Sequence, residues 1–330
     1  MAKRQFGIST HLYHGQRLCR DHLLEIAAHE FEMVEVFATR THFDYHNPAA
    51  VADLQQWLAE AGLQLRSIHA PIAESFIGGH WSGTLSLAST DPDARAHAVS
   101  ETERALHIAR RIPAAVLVAH LGVPRSQRGD TRVTPYTVGA DSPRAGVGAN
   151  PQRGDTRVAP HGVSTDPARY GVGADPRVRP AGDSRAAARR SIEELQRIAQ
   201  PLGVQIAVEV IPNELSRAGS IVHFVEDDLD GVGICLDFGH AHLDGDVIDA
   251  VDTVSEHLIA THLHDNRGHS DDHLLPFDGT IDWAGALLAV QKIGYDGPFM
   301  FEIVAQGSTK DTLARARQAR QRIETIMADG

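Results

Sequence analysis

The chain has 330 residues, 42% of them hydrophobic, a formal net charge of −12 and two cysteines, Cys19 and Cys235. This composition suits one large soluble domain, 1–330, with a sizeable core; it excludes a disulfide scaffold, and the acidic total argues against a nucleic-acid partner, because phosphate binding needs a basic footprint. No run reaches the roughly 18 apolar residues of a membrane span and the first residues lack an apolar signal core, so a cytoplasmic protein without a membrane partner is expected.

Along the chain, short apolar runs stand at Gln5–Ser9, Met33–Phe37, Leu65–His69, Ala115–His120, Gln205–Val210, Gly233–Phe238, Ile259–His264 and Phe299–Val304. Helix-length segments fall between them, at about 20–31, 48–62, 92–111, 184–200, 246–256, 282–293 and 308–327. A shorter, poorly patterned stretch, about 214–228, follows the fifth run. Strands alternating with helices make βαβ units and a parallel sheet. Eight such units predict a closed α/β barrel, the (β/α)₈ or TIM barrel, with an open doubly wound sheet as the alternative. No Gly-x-Gly-x-x-Gly follows the first strand, so no nucleotide cofactor is expected.

Residues 124–185 interrupt the pattern after the fourth strand. They are rich in Gly, Pro, Arg, Asp and Thr, and Gln-Arg-Gly-Asp-Thr-Arg-Val occurs at both Gln127–Val133 and Gln152–Val158. A low-complexity segment with so few large apolar residues cannot offset its ordering entropy, so a disordered, duplicated insertion is expected there.

The twenty histidines are informative where they fall on strands. Side chains alternate faces along a strand. In Ala207-Val208-Glu209-Val210 the valines share one face and Glu209 takes the other. By the same rule Asp237, His262 and Glu302 point inward, as do His69 and His120 at their strand ends. Barrel active sites are assembled from several strands at this C-terminal mouth. Converging carboxylates would repel or take up protons unless a cation joined them. A divalent ion held by Glu209, Asp237, His262 and Glu302 is therefore expected, with His264 a competitor for the seventh-strand position. Mixed carboxylate and imidazole donors suit Mn²⁺, Zn²⁺ or Co²⁺ better than Mg²⁺.

The stretches Leu236-Asp237-Phe238-Gly239-His240, Thr261-His262-Leu263-His264-Asp265-Asn266 and Phe299-Met300-Phe301-Glu302-Ile303 resemble the xylose-isomerase-like TIM-barrel superfamily. That group includes sugar phosphate isomerases and epimerases and the AP endonuclease branch. The resemblance implies that Glu209, Asp237, His262 and Glu302 share one metal, and that Glu209 and Glu302 also move the substrate proton. It further implies that His69 and His240 contact substrate oxygens, with Arg267 near a substrate-binding arginine, its spacing differing by one. Dimers or tetramers are common in such barrels. The expected activity is metal-dependent isomerisation or epimerisation of a sugar, sugar phosphate or keto-sugar through an enediolate, an EC 5-type reaction of carbohydrate metabolism. The AP endonuclease branch uses further ligands for a three-zinc cluster, and His69, His120, His240, Asp271 and His273 fall where those would lie. An abasic-site phosphodiesterase is thus one alternative and a keto-sugar lyase or dehydratase the other. Against the former, Glu209-Val210-Ile211 lacks the Glu-Asn-Thr-like sequence of that branch.

Overall fold

The computed structural model describes residues 4–124 and 181–329. Almost all of the insertion expected at 124–185, with both near-repeats, lies outside these described residues.

Eight parallel strands close into a barrel in the order β1-β10-β9-β8-β7-β6-β3-β2. They are β1 (Phe6–Ser9), β2 (Met33–Phe37), β3 (Gln64–His69), β6 (Val116–Ala119), β7 (Gln205–Glu209), β8 (Gly233–Asp237), β9 (Leu258–Leu263) and β10 (Phe299–Phe301). Pairing of β1 with both β10 and β2 closes the ring, which decides against the open sheet. All eight strands coincide with the apolar runs to within a few residues. The outer helices are α1 (Arg20–Ala28), α2 (Pro48–Ala61), α3 (Pro92–Leu106), α4 (Ala181–Ala199), α5 (Ala218–Asp228), α7 (Val247–Val254), α8 (Trp283–Lys292) and α9 (Thr309–Asp329). Local chemistry sets their starts: Asn47, Asp91 and Asp282 accept first-turn backbone N–H groups of α2, α3 and α8. Pro48 and Pro92 occupy first-turn positions where a missing N–H costs nothing.

Two elements were not foreseen. An antiparallel hairpin, β4 (Ala73–Ile77) and β5 (His80–Thr84), rises from the loop after β3. A short helix, α6 (Phe238–Asp244), starts directly from β8, capped by the Asp237 carboxylate on the His240 N–H. Each departs from the βαβ rhythm of the rest of the chain.

The outward faces of the strands pack on the helices. Phe6 meets Phe299 and Phe301 edge to face, at ring centroid distances of 5.7 and 6.2 Å, which adds a directional term to burial. The barrel axis is filled differently. Near its lower end Met33 and Met300 are buried against Gly7, where a Cβ would come within 2.8 Å of both. Val116, Val118, Ala207 and Cys235 form a small apolar layer beside them. Above that layer the inward residues turn polar, and this change of chemistry creates the site. Among the described residues no helix is long and apolar enough to cross a membrane.

Candidate metal centre

Glu209 ends β7, fully buried, and imidazoles from four other segments surround it. Its Oε2 lies 3.2 Å from His69 Nε2 and 3.0 Å from His120 Nε2. Its Oε1 lies 3.2 Å from His262 Nδ1 and 3.5 Å from His240 Nδ1. Glu302, just past β10, brings Oε2 to 3.1 Å from the same His262 Nδ1. Asp237 ends β8, with Oδ2 3.9 Å from that atom. The structure thus brings together all four residues of the expected ligand set, their donor atoms within 4.8 Å of one another. His69, His120 and Glu209 form a second such group that shares Glu209 with the first, and His69, His262 and Glu302 form a third.

His240, Asp271 and His273 gather beside these groups. His240 Nε2 is 3.0 Å and His273 Nε2 3.3 Å from Asp271 Oδ2. Arg267 stays outside: it is exposed and donates to the Asp278 carbonyl at 3.4 Å.

Glu35 was not anticipated as part of the site, although alternation within Met33–Phe37 carries its signal. It sits in mid-strand on β2, wholly buried, below the ring of strand-end residues. Ser67 Oγ donates to Glu35 Oε2 at 2.8 Å, and His262 Nε2 meets the same oxygen at 3.0 Å. A proton kept on Nε2 by Glu35 leaves His262 Nδ1 to face Glu209 and Glu302, the usual way an outer carboxylate orients a ligand imidazole. Backbone carbonyls do the same elsewhere. His69 Nδ1 donates to Ala70 O and His273 Nδ1 to Glu302 O, both at 2.8 Å, leaving each Nε2 turned to a carboxylate.

Burial alone would raise the Glu209 carboxyl, but the charges of His120 and His262 outweigh it and hold it well below the usual carboxylate range. Burial is likewise overcome at Glu302, chiefly by His262. The imidazoles respond in kind. Burial would lower His69, yet the close carboxylate of Glu209 lifts it to about 8; neighbouring carboxylates lift His240, and Cys235 with Glu35, Glu302 and Glu209 lift His262, well above their ordinary value. At His120 burial wins and the ring is lowered. The carboxylates are thus balanced by protons on imidazoles, a task that a cation performs equally well.

Hydrogen-bond alignment tests that fit. His120 Nε2 and Glu209 Oε2 lie 3.0 Å apart, yet neither atom makes a hydrogen bond, and both are buried. Asp237 Oδ2 and His240 Nδ1 are also buried without one. Buried polar atoms are normally hydrogen-bonded, so a cluster of near neighbours that fail to align is unusual. Donors this close that do not aim at each other suit a shared ion. The set fits a divalent cation.

An aromatic wall covers one side of the mouth. The ring of His14 stacks between His11 at 4.4 Å and Trp81 of the hairpin at 5.5 Å, and Phe37 packs against His11 and His69, both at 4.7 Å. Trp81 is buried in this wall.

A model of the xylose isomerase-like TIM barrel family matches residues 161–326. The chain belongs to that family. It is 37% identical over 119 residues to the uncharacterized protein y4fM of Sinorhizobium fredii; that match covers 34% of this chain and 38% of the relative, so the chain spans well under half the length of the curated relative it matches. Among solved structures it resembles a D-tagatose 3-epimerase-like protein, with TM-score 0.69 and 19% identity over 98% of each chain. D-psicose 3-epimerase in the presence of D-fructose gives TM-score 0.66 at 17% identity, over 98% of this chain and 99% of the other. The IOLI protein with a zinc atom gives 0.66 at 15% over 98% of each. At such identities these likenesses establish the fold.

Proposed function

We propose that the chain is a divalent-metal-dependent isomerase or epimerase of a sugar, sugar phosphate or keto-sugar. The observation that carries this reading is the approach of two carboxylates, Glu209 from β7 and Glu302 from β10, to one imidazole nitrogen of His262. Two other strands separate β7 from β10 in the barrel, so the carboxylates arrive from opposite flanks. Glu209, Asp237, His262 and Glu302 would hold the cation, with Mn²⁺, Zn²⁺ or Co²⁺ suited to this donor set. When bound, it supplies Lewis acidity to substrate oxygens. One glutamate takes the proton next to the carbonyl and the other returns it. Both carboxyls are held low, so their usefulness as bases depends on positioning and exclusion of water. The aromatic wall of His11, His14, Phe37 and Trp81 supplies that exclusion. The 3-epimerases among the structural neighbours support a carbohydrate substrate. The same base also serves β-elimination, which product analysis separates from epimerisation.

The test is solvent deuterium exchange into a panel of keto-sugars by the wild type, Glu209→Gln and Glu302→Gln. Exchange by the wild type, lost in both variants, is expected. Full exchange in metal-loaded variants refutes the two-glutamate scheme.

A second reading, phosphodiester cleavage at a multinuclear centre, is favoured by one feature: His69 and His120 converge on the same Glu209 that serves the first donor set. It predicts nicking of abasic duplex DNA and more than one cation bound through Glu209. A net charge of −12 counts against a DNA partner.

A further inference from the structure

Residues 264–282 join β9 to α8 without a helix or strand of their own. A connection of that length needs specific contacts to hold one shape. Its two ends are pinned on one side chain. Asp265 is wholly buried, and four N–H groups converge on its carboxylate. Oδ1 accepts from Asn266 N at 2.8 Å and Ile281 N at 3.2 Å. Oδ2 accepts from Phe277 N at 3.1 Å and from the Trp283 indole Nε1 at 2.8 Å.

None of these four donors belongs to a cationic side chain. The buried charge is met by N–H dipoles, and each bond to an ionised acceptor is stronger than one to a neutral carbonyl. An amide could not take this place. A carboxylate accepts at both oxygens, whereas the NH₂ of an asparagine would set two donors against two donors.

The backbone closes in the same way. Asp265 and Leu274 exchange two N–H···O bonds of 2.8 Å, and Thr280 N donates to Asn266 O at 2.9 Å. Gly279 lets the returning segment pass over the hub: a Cβ there would fall 2.2 Å from both Asp265 Oδ1 and Asn266 O. The loop is strained between its pins. Phe277 and His273 hold φ of 77° and 45°, a region that residues with side chains enter only where surrounding contacts compensate. The N–H of Phe277 is one of the four on Asp265, so the strained residue is held by the hub itself.

The loop so held reaches both glutamates of the mouth. Asp271 Oδ2 lies 3.0 Å from His240 Nε2, and His240 Nδ1 faces Glu209 Oε1 at 3.5 Å. His273 Nδ1 donates to the Glu302 carbonyl at 2.8 Å, and Val304 N donates to the His273 carbonyl at 3.1 Å, so the loop grips the chain on either side of Ile303. We infer that Asp265 is a positioning residue: by gathering both ends of residues 266–282 on one buried carboxylate, it sets the loop that braces Glu209 through His240 and Glu302 through its main chain. It acts through these groups and touches no substrate. Its effect on catalysis rests on the two-glutamate reading of the mouth; its ordering of the loop does not.

Hydrogen exchange of the full-length protein, followed by NMR, reads the loop directly. The chain has three tryptophans, and Trp283→Phe assigns the Trp283 indole resonance. In the wild type that indole N–H and the Phe277 and Ile281 amides should be protected together. Losing a charged acceptor should speed their exchange about 10–100-fold in Asp265→Asn, while the amides of α2 and α3 keep wild-type rates. Deuterium exchange into a keto-sugar should fall about 100-fold in kcat, with KM changed far less, because the glutamates are misplaced rather than removed. A wild type that exchanges no keto-sugar refutes the proposed reaction and leaves the loop measurements to decide on Asp265. The inference is overturned if the three wild-type N–H groups exchange as freely as those of unstructured peptide, a result that does not depend on how any variant folds. It is equally overturned if Asp265→Asn keeps either the loop protection or the wild-type kcat. Protection lost equally in α2 and α3, with kcat falling only as the folded fraction does, would overturn it too, by making Asp265 a residue of general stability.

Discussion

Glu35 offers a sharp test of how the barrel interior controls the centre, because it touches His262 from below and none of the other expected ligands. Glu35→Gln preserves the shape of a side chain that is wholly buried and removes only its charge. The carboxylate oxygen serves Ser67 Oγ at 2.8 Å and His262 Nε2 at 3.0 Å. A hydrogen bond to a charged group contributes about 1.5–3 kcal/mol against about 1 kcal/mol for a neutral one. The amide should therefore weaken the hold on His262 by about 1–2 kcal/mol, or about 5–30-fold in cation affinity, within the range seen for outer partners of metal-binding histidines. Glu35→Ala removes the acceptor of two buried donors and should cost more, about 100-fold. Affinity is read by competing the protein against a chromogenic chelator for Zn²⁺ at fixed pH. Nitrogen NMR of the histidines reports whether the Nε2–H form of His262 persists. If both variants bind Zn²⁺ within about threefold of the wild type, Glu35 does not orient His262 and the relay is wrong.

Gly239→Ala should destabilise the fold by about 1–3 kcal/mol, since the added methyl must displace a buried ring rather than the tip of a flexible chain; urea unfolding at wild-type stability would contradict this. Phe301→Ala removes a buried ring packed edge to face on Phe6 and Phe31 and should cost about 3–5 kcal/mol, read as a drop in the urea midpoint. His42, buried with Nδ1 donating to Gln16 O at 2.7 Å, is lowered to about 4, chiefly by burial. Its folded value lies below the unfolded value of about 6.5, so the unfolded chain binds the extra proton in between. The stability contributed by neutral His42 is full above pH about 6.5 and falls as pH drops toward about 4. His42→Gln should flatten the unfolding free energy across that window, and an unchanged slope would place the acid sensitivity elsewhere.

The residues that line the mouth were legible because strand alternation is local. Once Ala207–Val210 is a strand with valines on its outer face, Glu209 has only one other direction to point, and the same holds for Asp237, His262 and Glu302. Eight apolar runs spaced by helix-length segments carried the barrel for the same reason. The hairpin of Ala73–Ile77 and His80–Thr84 follows no such pattern, because it lies between the Leu65–His69 run and the helix segment at 92–111, where a barrel connection normally needs no strands.

Which inward residues share an oxygen is not local. It follows from closure of the ring, which sets Glu35 of β2 against His262 of β9 across 227 residues of sequence. Loop geometry is more remote still from any periodic pattern. Positions a few residues apart on one loop separate: Arg267 turns out to solvent, while Asp271 and His273 turn in against His240 of α6. The amino-acid order by itself determined the barrel and the polar ring at its mouth. The grouping of that ring into donor sets, with Glu209 shared by two and Asp271 and His273 gathered beside them, was decided by the tertiary structure, because only closure and loop packing bring those atoms so close together.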